Sequence, residues 1–304
     1  MQYCKIILLL GLTVYIPIAA YMQSQQIFEI PVFEYEPEFT IPQGVIAIES
    51  STFLLQKNTD LILTSISVGS LIAGFLILEN DPVELEELAT LNNASIPAFE
   101  NHLISFDTIQ ALRAEKLSDQ FMFTSGVAGI ASVFLTKNGE NDLKNNLVMY
   151  VEGLTLTVGI TEILKKSTDR KRPYVYNKNL TDEQRTDEES SMSFPSGHTS
   201  FSAFNSFFTA SLVSRYLLSN KNIVAKIFVY AGAAGIPAFT GYFRTEAGKH
   251  FWTDVSAGYL LGASIGVCIP LLHKSENENV SFKPLLNEEI QGLSCNIKFS
   301  KLID

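Results

Sequence analysis

The stretch FPSGHTSFSAF, Phe194 to Phe204, places a proline, a serine, a glycine and a histidine directly before an apolar, serine-rich segment. Pro195 ends any preceding helix, and Gly197 allows a ligand to approach the backbone closely. A helix that begins here offers free backbone N–H groups and a partial positive charge, which together favour an anion. The stretch therefore predicts a helix whose N-terminus is a candidate anion site.

Six long apolar runs with few charged residues occupy most of the chain around this stretch. Each run approaches the roughly 20 residues that a helix needs to cross a hydrocarbon core. The pattern predicts an all-α protein, a bundle of about six helices embedded in a membrane. A tightly packed soluble bundle is the alternative, because the runs are rich in Ser, Thr and Gly. The runs are Leu61–Leu78, Phe121–Thr136, Leu147–Leu164, Thr199–Ser214, Ile227–Phe243 and Val255–Leu272.

The composition argues against a nucleic-acid-binding protein and against a cysteine-based scaffold. The 304 residues are 46% hydrophobic and 18% charged, with a net charge of −10. A nucleic-acid partner is not expected, because phosphate backbones are bound by clustered Lys and Arg. The three cysteines, Cys4, Cys268 and Cys295, are far apart and lack paired spacing, so neither a disulfide framework nor a zinc site is indicated.

The chain divides into four predicted segments. Residues 1–22 carry Lys5 and an apolar run from Ile6 to Ala20, which is typical of a signal peptide or an uncleaved signal anchor. Residues 23–116 form an N-terminal extension with one apolar segment. Residues 117–272 form the main helical domain, and residues 273–304 form a polar C-terminal tail.

Two further connectors between the runs carry unusual sets of charged residues. The third run ends in five basic residues that include Lys165 and Arg172, and such a run taken alone is typical of a solvated helix end or a topology signal. The stretch GYFRTEAGKHFWTDVSAG contains Arg244, His250 and Asp254. The four-residue spacing from His250 to Asp254 brings imidazole and carboxylate side by side if that turn is helical.

Antiparallel packing of successive helices would bring these connectors to one end of the bundle. That end would then hold several cations, a helix N-terminus, one histidine and a second histidine paired with an aspartate. Such a set is suited to a tetrahedral oxyanion such as phosphate, so we expect the active site at this end.

The three motifs together resemble those of a known superfamily. They read Lys-x6-Arg-Pro from Lys165 to Pro173, Pro-Ser-Gly-His from Pro195 to His198, and Arg-x5-His-x3-Asp from Arg244 to Asp254. In this order and spacing they resemble the type 2 phosphatidic acid phosphatase and vanadium haloperoxidase superfamily, in its bacterial membrane form, and the main helical domain is phosphatidic acid phosphatase type 2-like. The third motif usually begins Ser-Arg, and Phe243 stands before Arg244 here, so we expect altered fine geometry rather than lost activity.

The resemblance implies a role for each matched residue. His250 would attack phosphorus, Asp254 would orient it, and His198 would protonate the leaving oxygen and activate water. The phosphate oxygens would be bound by Lys165, Arg172, Ser196, Gly197 and Arg244. No cluster of acidic residues at this end resembles a magnesium site, so neither a metal nor a cofactor is expected.

The implied function is hydrolysis of a lipid phosphate monoester or diphosphate through a phosphohistidine, with a phosphorylated lipid and the membrane as partners. The alternatives are a soluble periplasmic non-specific acid phosphatase, a vanadate-dependent haloperoxidase, and a catalytically silent membrane scaffold. The scaffold is disfavoured because all three predicted catalytic residues are present, His198, His250 and Asp254. The resemblance favours an extracytoplasmic, periplasmic active site, whereas counting spans favours the inside. The acidic loop from Tyr174 to Ser193 is either a lid that repels highly anionic substrates or a solvated surface loop.

Overall fold

The computed structural model describes residues 53–55, 57–219, 222–273, 280–286 and 291–297. The predicted signal peptide or anchor lies outside these residues. Among them, six long helices form a bundle, and two short helices and three 3₁₀ turns lie in its connections. The helices are α1 Lys57–Ile72, continued by a π-helical turn Ala73–Ile77, α2 Leu85–Leu88, α3 Thr108–Val133, α4 Glu140–Thr168, α5 Asp182–Arg185, α6 Gly197–Tyr216, α7 Ile223–Glu246 and α8 Trp252–Leu272. The 3₁₀ turns are Asn93–Ser95, Ala98–Ile104 and Pro173–Tyr176.

The six predicted apolar runs correspond to the six long helices, which confirms the all-α bundle. The helices extend beyond the runs because polar residues continue them. Helix α3 begins at Thr108, where the side chain of Asp107 accepts a hydrogen bond from the Gln110 backbone N–H at 2.9 Å. The domain boundary predicted at residue 117 therefore falls inside a helix.

Helix α6 runs through the centre of the bundle and packs against α3, α4, α7 and α8. Phe204 and Phe208 on α6 are fully buried, and Tyr150 of α4 packs its ring against both. Gly262 of α8 lies so close to α6 that a Cβ there would overlap the carbonyl oxygen of Ser200. Close packing of this kind holds the N-terminus of α6 at a defined position.

Helix α1 runs parallel to α4, beside it. Thr64 donates a hydrogen bond to Glu152 Oε1 at 2.9 Å, and further along both helices Lys166 donates one to the Leu78 carbonyl at 2.8 Å. The chain then crosses the end of the bundle in residues 78–107 before α3 returns. Much of the predicted N-terminal extension is thus part of the bundle.

Within the part of the chain that the structure describes, four helical segments are long and apolar enough to cross a membrane. They are Asp60–Ile77, Glu140–Tyr176, Ile223–Glu246 and Trp252–Leu272. Helix α7 has large apolar side chains on its outer surface, including Ile223, Ile227 and Phe228. An apolar outer surface of this kind is suited to lipid, and the protein is membrane-associated.

The C-terminal region contains two strands, which the expected polar tail did not include. Strand β1 spans Val280–Leu286 and strand β2 spans Gln291–Ile297. They pair antiparallel in a register that opposes Val280 to Ile297 and Leu286 to Gln291. This two-stranded sheet is an addition to the helical bundle.

Candidate active site

The predicted site residues meet at one end of the bundle, where α4 and α7 end and α6 and α8 begin. A Cβ atom at Gly197 would lie 3.2 Å from Nζ of Lys165, so the first and second motifs are in contact. The backbone N–H of Ser196 donates a hydrogen bond to the Asp254 carbonyl at 3.0 Å, which joins the second motif to the third. Tertiary packing thus brings the three motifs together as expected.

Two buried arginines at this end have donors without acceptors. Arg172 and Arg244 are only 2% and 3% exposed. Arg172 makes an ion pair with Glu189, with 2.8 Å between Nη2 and Oε2. Its Nε and Nη1 atoms, and Nε of Arg244, have no hydrogen-bond partner among the described residues. Buried guanidinium donors without partners are unfavourable, so the arrangement is suited to a bound oxyanion.

His250 is buried and held in one tautomer. Its Nδ1 lies 2.8 Å from the Ser193 carbonyl oxygen. Because a carbonyl can only accept, Nδ1 carries the hydrogen and Nε2 has the free lone pair of a neutral imidazole. Burial, and then the charges of Arg172 and Arg244, hold the pKa of His250 well below its usual value. A neutral imidazole is the form that can act as a nucleophile.

Asp254 lies beside His250 but does not make the direct hydrogen bond that a helical turn would give. His250 precedes α8, and its Nδ1 is 3.8 Å from Asp254 Oδ2. That oxygen accepts hydrogen bonds from the Ser193 hydroxyl at 2.6 Å and the Phe251 N–H at 2.8 Å. Asp254 therefore holds the two segments that flank the imidazole. The catalytic role expected for Asp254 stays a prediction.

The turn that leads to His250 requires glycine at position 248. Gly248 has φ of +65°, and a Cβ there would overlap the ring of Phe106. The Gly248 carbonyl also accepts a hydrogen bond from the Tyr174 N–H at 3.0 Å. The crossing segment and the residue that follows the first motif therefore both position this turn.

Two residues to which the motifs assign no role support Asp254: Glu100, in the crossing segment, and Arg170, at a variable position of the first motif. Arg170 pairs with Oδ1 of Asp254 through Nη1, and with Oε2 of Glu100 through Nη2 at 2.9 Å. Glu100 is fully buried and also accepts a hydrogen bond from the Thr253 N–H at 2.8 Å. Sequence reasoning missed this role, because Arg170 was one of five basic residues and no local pattern indicates Glu100.

His198 lies at the start of α6 and contacts a second residue that the sequence did not indicate. Its Nε2 is 3.1 Å from Oδ1 of Asp119 on α3, and its side chain is 31% exposed. Burial and then Arg244 lower the pKa of His198 to about 4, while Asp119 opposes the shift. Asp119 and the negative charge of a bound phosphate both raise this pKa, towards the protonated form that an acid catalyst needs in the enzyme–substrate complex.

The remaining residues of the second motif differ in what they offer a ligand. The Ser196 hydroxyl is buried and shares a hydrogen bond with Thr199 at 2.9 Å. Gly197 is the first residue of α6, so its N–H has no intrahelical acceptor. Phosphate binding by either residue stays a prediction.

Phe243, which stands where related motifs have serine, has a packing role. Its ring stacks on Phe121 of α3 with centroids 5.8 Å apart, and it also contacts Tyr242. The aromatic side chain therefore contributes to the contact between α3 and α7.

One acidic residue of the loop, Glu189, pairs with a cation of the site. Besides its ion pair with Arg172, the Glu189 carboxyl has its pKa lowered to about 2, mainly by the Arg172 charge. Glu189 is therefore ionised at neutral pH and occupies part of a guanidinium that would otherwise be free. This contact favours a functional loop over one that is only a solvated surface.

Comparison with known proteins identifies several similar chains. Residues 146–278 match the family model described as the PAP2 superfamily. A PA-phosphatase related-family protein of Dictyostelium discoideum is 27% identical over 237 residues, which cover 68% of this chain and 87% of the relative. Phospholipid phosphatase 1 of Rattus norvegicus is 24% identical over 140 residues, which cover 40% of this chain and 50% of that protein.

Two solved structures are also similar. A transmembrane PAP2 type phosphatidylglycerolphosphate phosphatase from Bacillus subtilis is 19% identical, with a TM-score of 0.43, and the match covers 67% of this chain and 94% of that one. A bacterial vanadium dependent iodoperoxidase is 12% identical, with a TM-score of 0.33 and coverages of 63% and 51%.

Proposed function

We propose that this chain, whose residues 146–278 match the PAP2 superfamily model, hydrolyses a lipid phosphate monoester or diphosphate without a metal ion. The observation that carries the proposal is a pair of buried arginines beside a neutral, buried histidine, with guanidinium donors for which the described residues provide no acceptor. Phosphoryl transfer depends mostly on positioning and on neutralising the charge of the phosphate oxygens, which is what this set of residues can supply.

The proposed reaction has two steps. Nε2 of His250 attacks phosphorus, a P–N bond forms, and the bond from phosphorus to the leaving oxygen breaks as His198 donates a proton to that oxygen. Water then attacks the phosphohistidine while His198 accepts a proton from it, the P–N bond breaks, and inorganic phosphate leaves. Lys165, Arg172 and Arg244 neutralise the phosphate oxygens in both steps.

A lipid substrate is supported by where the site lies. The motifs are at the end of a bundle that has four helical segments apolar enough to cross a membrane. A phosphorylated headgroup would lie at that depth while its apolar chains remain beside the helices. The name of the rat relative, phospholipid phosphatase 1, agrees with a lipid substrate.

Phosphate release from the detergent-purified protein tests this function. Dioctanoyl phosphatidic acid, a short prenyl diphosphate and the soluble ester p-nitrophenyl phosphate are compared with excess EDTA present. We expect kcat/KM for a lipid substrate to exceed that for the soluble ester by about 10²-fold, because binding of the apolar chains contributes to transition-state stabilisation. Equal values would instead favour a non-specific acid phosphatase.

On the resemblance of the three motifs alone, we propose that the active end faces the extracytoplasmic side, which is the periplasm in a bacterial cell. The far end of the bundle contains both the start of α1 and the end of α8, since the Leu54 N–H donates to the His273 carbonyl at 2.7 Å. In a chain with Cys4, Cys268 and Cys295 replaced by serine, Glu183→Cys reports on the active end and Thr136→Cys on the far end. An impermeant maleimide applied to intact cells should label the first and spare the second. The reverse pattern would put the site in the cytoplasm.

Replacing Asp119 with asparagine is expected to change the pH dependence of kcat. Asp119 raises the pKa of His198, so its loss lowers that pKa. A general acid must be protonated, and activity is lost as pH rises through its pKa in the enzyme–substrate complex. The alkaline limb of the kcat profile should therefore move down by about one pH unit. Asp107→Asn, which keeps a helix-capping side chain on α3, is the control; an unchanged limb in Asp119→Asn would contradict the assignment of His198.

Replacing Glu189 with glutamine is expected to strengthen inhibition by inorganic phosphate. The substitution removes an anion that competes for Arg172, so the inhibition constant should fall by about 2- to 5-fold. Glu188→Gln, one residue away, removes the same charge from a carboxylate for which the structure shows no arginine contact and should have little effect. Weaker inhibition in Glu189→Gln would mean that Glu189 positions Arg172 rather than competing for it.

A further inference from the structure

A second group of ionisable side chains meets at the end of the bundle opposite the active site. Asp60 lies in the first turn of α1, Glu152 in α4, and His273 directly after α8. They are 5%, 1% and 1% exposed. One nitrogen or oxygen atom from each lies within 4.8 Å of the others.

This group is separate from the phosphate site. Glu152 precedes Lys165 on α4 by about 20 Å at 1.5 Å per residue, and His273 follows Asp254 along α8 by about 28 Å. No residue of the three motifs belongs to the group, and the proposed phosphatase reaction does not use it.

The hydrogen bonds around His273 leave one ring nitrogen facing the two acids. Nδ1 lies 2.9 Å from the Ile269 carbonyl, which can only accept, so Nδ1 carries the hydrogen. Nε2 is 3.0 Å from Asp60 Oδ1 and 3.4 Å from Glu152 Oε2. A histidine that binds a metal commonly donates its other ring N–H to a backbone carbonyl in this way.

Each carboxylate also has one oxygen that forms no hydrogen bond. Thr64 donates to Oε1 of Glu152 at 2.9 Å, whereas Oε2 of Glu152 and Oδ2 of Asp60 have no hydrogen-bond donor among the residues that the structure describes. Buried carboxylate oxygens without donors are costly, and they are ligands that divalent cations take. These unpartnered oxygens are an observation independent of the clustering.

The charges lead to the same conclusion. Two carboxylates with one imidazolium leave a net charge of −1 within the group, in a place that excludes water. Two carboxylates, a neutral imidazole and a divalent cation have a net charge of zero. The cation also coordinates the carboxylate oxygens that lack hydrogen-bond donors. One nitrogen and two carboxylate ligands suit Zn²⁺ and Mn²⁺.

We propose that Asp60, Glu152 and His273 bind a divalent transition-metal ion of the Zn²⁺ or Mn²⁺ class, which joins the first and last helices of the bundle to α4. The site is structural. Residues 53 and 54 are held to the same end of the bundle, where the Asn145 side chain donates to the Phe53 carbonyl at 2.5 Å and the Leu54 N–H donates to the His273 carbonyl.

Metal content of the full-length, detergent-purified protein tests the proposal. Protein incubated with Zn²⁺ or Mn²⁺ and then desalted should retain about one metal ion per chain by mass spectrometry. Removal with EDTA should lower the apparent Tm by about 5 °C or more, and adding the metal back should restore it. Phosphate release is not needed as a readout, so failure of the proposed phosphatase activity leaves this test intact.

Substitutions of the proposed ligands test which side chains bind the metal ion. Glu152→Gln and His273→Gln should lose the bound ion, whereas Glu140→Gln and His102→Gln, which change exposed residues, should keep it. Should the buried variants fail to fold, Co²⁺ added to the EDTA-stripped wild-type chain should give the visible absorption bands of a nitrogen- and oxygen-ligated ion. A wild-type chain that retains no metal, and whose Tm is unaffected by EDTA, would overturn the proposal and leave a proton shared among the three side chains.

Discussion

Replacing His250 with alanine is expected to lower phosphate release from a lipid phosphate on the order of 10⁴-fold or more, the largest effect of any single change. His250 supplies the proposed nucleophilic atom, and no other described histidine lies among the site's cations except His198, which has its own role. The imidazole is neutral, buried and held through Nδ1 by the Ser193 carbonyl, so the lone pair of Nε2 is fixed in one direction. Water cannot reproduce a nucleophile in that position.

Trapping the intermediate separates loss of the nucleophile from loss of folding. Wild-type protein mixed with a ³²P-labelled lipid phosphate and quenched in alkali should retain label, which acid then releases, because a phosphorus–nitrogen bond is stable to base and labile to acid. His250→Ala should retain none at an unchanged Tm. His102→Ala, which removes an exposed histidine in the crossing segment, should match the wild type. Full activity in His250→Ala would reject the proposed nucleophile.

Replacing Arg170 with alanine is expected to destabilise the protein by about 3–5 kcal/mol and to reduce kcat by about 10²-fold. Its guanidinium is the cation that pairs with both Glu100 and Asp254, which are fully buried. Without it two carboxylates remain in the interior without that partner. Asp254 would then no longer hold Ser193 and Phe251 on either side of His250, which accounts for the catalytic loss.

Thermal unfolding and kinetics at low temperature measure the two effects separately. Arg170→Lys should recover only part of each, because a single ammonium cannot bridge two carboxylates as a planar guanidinium does. Lys171→Ala is the matched control, since its ion pair with Glu87 is partly exposed and worth about 0–1 kcal/mol. An Arg170→Ala protein as stable and active as Lys171→Ala would show that the bridge has no role in the site.

Glu100 shows why part of the site could not be predicted. It lies 70 residues before Arg170, in a 3₁₀ turn of the segment that crosses the end of the bundle. Nothing in its neighbourhood in the sequence indicates that it is buried or paired with a cation. The contact of Asp119 with His198 could not be predicted either, because Asp119 is one acidic residue among several polar ones on α3. Both depend on contacts between distant segments.

The amino-acid sequence by itself determined the six helices, their order and the end of the bundle at which the motifs meet. Runs of apolar residues bounded by polar connectors specify helices locally, and antiparallel packing of successive helices brings the motif-bearing connectors to one end. The tertiary structure alone decided which atoms meet. It gave His250 the Ser193 carbonyl as its partner, with Asp254 at 3.8 Å, and it brought Asp60, Glu152 and His273 together from α1, α4 and the end of α8. Side-chain contacts of that kind depend on how helices pack and rotate, which no local pattern encodes.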